Sequence, residues 1–213
     1  IAASQRDKFG ETFGSLSGLA LDLRTWRRNT DGSYEGTFYA QPDRGLTRSG
    51  AASNYAPRTH RLAATFTPAP NGASNQLQLR LTLDESTRLT EANGTLLTSL
   101  DPVANSTGGT RAGFAFALPQ AFNGRLSLDA EGLVLLPDGS FFICDEYGPY
   151  IYRFSAAGVL PGAIRPPEAL IPNRSGRDSF SSDNPAAGQP SPNPGEPTTG
   201  RENSQGFEGL AAS

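Results

Sequence analysis

The chain has 213 residues, 36% of them hydrophobic and 18% charged, with 24 Gly, 17 Pro and a formal net charge of −3. That length suits one ordinary domain or part of a larger one, and the Gly and Pro content argues against a helical bundle. No apolar run approaches the roughly 18 residues of a membrane helix, and a single Lys beside 17 Arg leaves no excess positive charge for a nucleic-acid backbone.

In chain order, short alternating or apolar runs are bounded by turn residues. Strands are expected from Leu16 to Leu23 and, after the Asp31-Gly32 turn, from Gly36 to Ala40. Arg61 to Thr67 and Leu77 to Leu83 follow with a period of two, the second placing Leu77, Leu79, Leu81 and Leu83 on one face. Phe114 to Leu118 is a further expected strand. From Glu131 to Leu160 the sequence reads as a meander: strand, Pro137-Asp138-Gly139 turn, strand Phe141 to Cys144, polar link, strand Tyr150 to Phe154, and a turn at Gly158. Residues 173–205 differ in kind, with five prolines and Phe180 as the lone large apolar side chain. Such a stretch buries too little to offset its ordering entropy, so a flexible surface excursion is expected. The fold class expected is all-β.

Cys144 is alone, so these residues hold no disulfide. Sequons stand at Asn93, Asn105 and Asn173, each in polar, turn-like surroundings. The opening IAASQRDKFG shows no charged n-region and apolar h-region, which fits a processed N-terminus as well as a cytosolic one; with the sequons, a secreted protein is expected.

Internal repetition points to the architecture. Ser17-Gly18-Leu19-Ala20, Glu131-Gly132-Leu133-Val134 and Glu208-Gly209-Leu210-Ala211 are three copies of one phrase. The first two are each followed by an aromatic strand that ends in an acidic link closed by Gly: Phe38 to Gly45, with Asp43 and Arg44, and Phe141 to Gly148, with Asp145 and Glu146. Without the 173–205 excursion, the spacing of the last two copies falls within the roughly 40–50 residues of a propeller blade. A β-propeller-like fold is expected, of which 213 residues supply about three blades. The chain thus reads as the N-terminal part, 1–213, of one larger domain whose C-terminal remainder is its expected partner.

The stretches EGLVLLPDGSFFICDEYGPYIYRF, AIRPPEALIPN and GFEGLA, with FYAQPDRG earlier, resemble the phytase-like family of secreted microbial proteins, the "esterase-like activity of phytase" domain. The resemblance runs from about Gly14 to Ser213 and is strongest from Glu131 to Pro172. It implies a propeller-like fold and hydrolysis of phosphate or carboxylic esters.

The residues themselves give a chemistry. In a propeller, links at one face surround a central funnel, and the repeated acidic positions Asp43, Glu131, Asp145, Glu146 and Glu208 lie on such links. Carboxylates facing one cavity repel one another unless a cation sits among them. With no Cys or His cluster, the oxygen donors favour Ca²⁺ or Mg²⁺. Ca²⁺ is the expected cofactor, with Asp43, Glu131, Asp145 and Glu208 as ligands and Asp145, Glu146 and Glu131 as the catalytic carboxylates. Arg44, and Arg165 in the loop set by Pro166 and Pro167, are expected to clamp a small anionic substrate. Glu168 is one more carboxylate that could serve as ligand or base. The competing role for each acid is to cap a turn. Tyr147, Tyr150 and Tyr152 are expected to pack between blades, Cys144 to be buried, and His60 to lie at the surface or in a hydrogen bond, a role as base remaining open. No Gly-x-Ser-x-Gly elbow, Walker loop, dinucleotide fingerprint, zinc spacing or Arg-His-Gly phosphatase motif occurs. Three readings remain: a secreted Ca²⁺-assisted hydrolase of phosphomonoesters such as phytate, a non-enzymatic binding propeller with a structural Ca²⁺, and a Ca²⁺-dependent lactonase or esterase. None involves nucleic acid or a membrane.

Overall fold

The alternating segments form two antiparallel meanders. A computed structural model of the chain describes residues 4–13, 16–45, 52–69, 78–104, 106–186 and 193–212. Strands β1 (Leu16–Arg28), β2 (Tyr34–Pro42), β3 (Arg58–Phe66) and β4 (Leu79–Arg88) pair in chain order. So do β5 (Ala130–Leu135), β6 (Phe141–Asp145), β7 (Ile151–Phe154) and β8 (Gly162–Ile164). A hairpin of β9 (Asn173–Arg174) and β10 (Arg177–Asp178) follows. The described residues contain no α-helix, only one 3₁₀ turn at Glu168–Leu170.

Both meanders open on the same turn chemistry. Asp31-Gly32-Ser33 joins β1 to β2, with the Asp31 carboxylate accepting from the Ser33 backbone N–H at 2.9 Å and its hydroxyl at 2.7 Å. Asp138-Gly139-Ser140 repeats this between β5 and β6, at 2.9 and 2.5 Å. A side-chain acceptor two residues before the donor fixes such turns locally.

The Gly-Leu phrases stack in sequence order. A Cβ on Gly18 would lie 2.7 Å from the Glu131 carbonyl oxygen and 2.9 Å from Leu133 Cβ. One on Gly132 would lie 2.3 Å from the Leu210 backbone nitrogen. Glycine is thus required where each phrase meets the next, and this contact lays β1 against β5. The third phrase runs over β5 unpaired. The described residues form two four-stranded sheets and the two-stranded β9–β10 hairpin, all antiparallel, and these do not close into a ring.

Two expected features differ. Phe114 to Leu118 is not a strand: Leu118 makes one isolated bridge to Gly109, and Phe116 stacks on Tyr150 at 5.4 Å. Its alternating aromatics pack on the core from a loop with no partner strand. Residues 173–205, expected as a surface excursion, contribute buried groups. Phe180 is fully buried against Tyr150, and Arg174 and Arg201 lie inside, donating to backbone carbonyls. Hydrogen bonds to main chain supply what this stretch lacks in apolar area.

Leu133, Phe141, Ile143, Tyr150, Tyr152 and Phe154 of the second sheet form the main core, closed by Leu89, Leu97, Leu118, Leu126 and Leu128 from the long connection before β5. Full burial of each such side chain contributes about 1.5–3 kcal/mol. A smaller cluster around Phe13, Ala40 and Leu62 underlies the first sheet, with Leu81 and Leu83 against it. Leu77 lies outside the described residues.

Candidate functional site

Where β1, β2 and β5 meet, the chain gathers carboxylates. Asp129 immediately precedes β5, Glu131 lies within it, and Glu146 follows β6. One carboxylate oxygen from each lies within 4.8 Å of the others, a grouping able to hold a metal ion. All three residues are buried. Gln41 ties β2 to the site by donating to the Glu131 carbonyl at 2.9 Å, and the Ser17 hydroxyl donates to the Glu131 carboxylate.

This cluster is short of positive charge. Arg44 Nε lies 3.3 Å from Asp129 Oδ2, yet neither Asp129 oxygen accepts a hydrogen bond, although both are buried. Burial, then the neighbouring Glu146 carboxyl, raises the Asp129 pKa well above the usual carboxylate range. Burial pushes Glu131 up to about 7, with Glu208, Asp43 and Glu146 adding to it. It raises Asp43 and Glu208 as well, each within the field of Glu146. Two buried carboxylate oxygens without a hydrogen-bond donor, one of them facing Arg44 at 3.3 Å, in an all-oxygen donor set fit a hard divalent cation. Nothing in the set is soft enough to prefer zinc or copper.

A family model described as "Phytase-like: Esterase-like activity of phytase" matches residues 11–213. The chain belongs to this phytase-like family. An "Uncharacterized secreted protein" of Arthroderma benhamiae is 39% identical over 236 aligned positions, which cover 100% of this chain and 44% of that protein. The chain therefore spans less than half the length of the curated relative it matches. No solved structure matches it. Among the described residues, no helix of this phytase-like chain is long and apolar enough to cross a membrane.

The acids expected from the sequence separate into two groups. Asp43, Glu131, Glu146 and Glu208 share one electrostatic neighbourhood with Arg44. Asp145 is turned away into its own link. Its carboxylate accepts the N–H groups of Asp129 at 3.0 Å, Tyr147 at 3.1 Å and Gly148 at 2.9 Å, and burial pushes its pKa to about 7. It shapes the link that carries Glu146. Arg165 pairs with Glu168 at 2.6 Å and Asp178 at 3.5 Å beyond the end of β8. Asp129 was absent from the expected set, although it stands two positions before Glu131, the spacing that keeps side chains on one face of an extended chain.

The remaining residues are structural in their surroundings. His60 is buried rather than superficial, with Nδ1 3.0 Å from Ser86 Oγ, and burial lowers its pKa to about 4. Tyr147, Tyr150 and Tyr152 are fully buried, as is Cys144. Asn93 is exposed on a turn where its Oδ1 accepts the Thr95 N–H at 2.9 Å. Asn173 is half-buried in β9 and Asn105 lies outside the described residues.

Proposed function

We propose that this chain is part of a secreted, Ca²⁺-assisted hydrolase of phosphate monoesters, built as an open portion of a β-propeller. The buried Asp129 carboxylate carries the reading, because beside Glu131 and Glu146 its oxygens accept no hydrogen bond and face Arg44 alone, an arrangement that a further cation would complete. Family membership and the secreted relative support the reaction class and the compartment. The stacking of successive Gly-Leu phrases supports the radial arrangement.

Asp129, Glu131 and Glu146 would hold the ion. A bound Ca²⁺ supplies positive charge that polarises a phosphoryl oxygen. Arg44, tethered to Asp129 and partly exposed, offers its guanidinium to a second phosphoryl oxygen. Asp43, half-buried with a raised pKa, takes the proton of the attacking water. Water oxygen bonds to phosphorus, the bond to the alcohol oxygen breaks, and the leaving oxygen takes its proton from solvent, to which Asp43 returns the one it removed. Asn93, on its exposed turn, is the glycan acceptor.

The near-complete burial of all three carboxylates favours a second reading, a structural Ca²⁺ in a binding propeller. Phosphate release from phytate and a simple phosphomonoester, run beside a carboxylic ester and a lactone with Ca²⁺ or with chelator, separates them. Chelator-sensitive phosphate release is expected. Ester or lactone turnover alone moves the assignment to those bonds. Ca²⁺-dependent melting without any turnover makes the ion structural.

A further inference from the structure

Glu146 stands on a four-residue link, Asp145 to Gly148, whose shape decides whether its carboxylate meets Asp129 and Glu131. From within, the Asp145 carboxylate holds the N–H groups of Tyr147 and Gly148. The Glu146 N–H donates to the Asp129 carbonyl at 2.9 Å. The outer side of the link is held by a residue remote in sequence. Arg201, buried in the proline-rich lap, donates to the Tyr147 carbonyl through Nε at 3.0 Å and Nη2 at 2.6 Å. Its other bonds reach the Phe180 carbonyl at 2.6 Å and the Glu202 carbonyl at 2.9 Å. Gly206 then crosses directly over the link, where a Cβ would lie 2.1 Å from the Glu146 carbonyl oxygen.

Among the described residues, Arg201 makes no ion pair within hydrogen-bonding reach. Asp145, Asp101 and Glu146 act on it only at longer range, and Arg174 opposes them. A buried guanidinium that spends its donors on carbonyls is costly to desolvate, and what it returns is geometry, because its planar fork fixes three carbonyl positions at once.

We propose that Arg201 is a positioning residue for the acidic site: it clamps the Asp145–Gly148 link from behind and so sets the place of the Glu146 carboxylate. The proline-rich lap is then part of the site's support, carrying its clamp 55 positions beyond Glu146 in sequence. The metal part of this inference rests on the function proposed above; the clamp itself does not.

Two readouts test it on the full chain with the variants Arg201→Met and Arg201→Lys. The first is Ca²⁺ affinity by calorimetry. A positive charge near a cation site weakens binding, so a purely electrostatic role predicts tighter binding in R201M and wild-type affinity in R201K. The clamp predicts weaker binding in both, by about ten- to a hundred-fold, since Lys cannot reproduce the fork. The second readout, needing no metal, is amide exchange of a peptide spanning 145–150, which should quicken in both variants while peptides of β3 keep wild-type rates. R201K keeps the test alive should R201M not fold. Wild-type exchange in the link, or a tightened site in R201M, overturns the clamp. Failure of the wild type to bind Ca²⁺ overturns the proposed function instead, and link exchange alone then decides for or against the clamp.

Discussion

Two buried charged clusters face different fates in this molecule. At one end of the first sheet, where β3 begins, Arg58 lies between Asp7, which it touches through Nη1, and Glu11, 2.5 Å from Nη2, with the Tyr55 ring centre 4.1 Å from its guanidinium carbon. Asp7 also accepts the N–H groups of Phe9 and Glu11, and its pKa falls below the usual carboxylate range despite burial, because those bonds and Arg58 outweigh it. Where the sheets meet, Asp129, Glu131 and Glu146 share a single close cation, Arg44, and the pKa values of Asp129 and Glu131 rise. The shifts thus run in opposite directions: Asp7 is held down by its N–H bonds and Arg58, whereas deeper burial and then acidic neighbours push Asp129 and Glu131 up. In the first cluster every buried carboxylate oxygen has a donor, which serves stability; in the second, three carboxylates face one guanidinium, an excess of negative charge that the proposed cation would answer.

The hardest way to break the contrast is to empty the first cluster. Arg58→Met leaves Asp7 buried without its cation, and a loss of about 3–5 kcal/mol is expected in urea unfolding. The Ca²⁺-induced rise in melting temperature should survive wherever the variant still folds. A loss below about 1 kcal/mol would show that the backbone bonds to Asp7 suffice alone.

Acidification should drive the two regions apart. The His60 pKa is about 4 when folded against an ordinary 6.5. The unfolded chain therefore binds the proton first, and stability falls as pH drops from about 6.5 towards 4. At pH 5 this amounts to roughly 2 kcal/mol. Asp101 acts in reverse: burial raises its folded pKa to about 6, so its contribution is full below 3.8 and lost as pH rises through 6. His60→Gln should flatten the acid limb between pH 7 and 5, and Asp101→Asn should steepen it. Parallel curves for both variants would break the assignment.

Asp129→Asn sharpens the comparison from the other side. Without metal it removes a buried acid crowded by Glu131 and Glu146 and faced by Arg44 alone, and stability at pH 7 should rise by about 1–2 kcal/mol. With Ca²⁺ the gain should vanish, because the variant no longer responds to the ion. Destabilisation in chelator would instead mean that Arg44 alone satisfies Asp129.

How much of this could be read beforehand differs between backbone and site. Alternation from Arg61 to Thr67 and the Asp-Gly-Ser turns announced the meanders, since strand period and turn chemistry are local. In the connection before β5 the one such sign, at Phe114 to Leu118, marks no strand, and Leu89, Leu97, Leu118, Leu126 and Leu128 share no period, yet all are buried. The repeated phrases located Glu131 and Glu146, which recur with the motif, but not Asp129, which has no counterpart in the first copy. Asp145 looked like its neighbour Glu146; only the three N–H groups around it show that its oxygens are occupied. Arg201 was invisible, because backbone carbonyls leave no mark in a sequence.

The smallest expected effect concerns Arg165, which the sequence set beside Arg44 as an anion clamp. Both are arginines near strand ends, but their partners differ. Arg44 approaches a fully buried carboxylate, whereas Arg165 pairs with Glu168, whose side chain is 73% exposed. An exposed pair of this kind contributes under about 1 kcal/mol and is screened by salt. Arg165→Ala should therefore shift unfolding by less than that, and leave both the Ca²⁺ response and phosphate release within about twofold of wild type. A larger loss of phosphate release with unchanged stability would restore Arg165 to the substrate and place the anion at the β8 end of the second sheet. The cation proposed at Asp129 argues for the other outcome, because it would draw a substrate anion that the carboxylates alone repel.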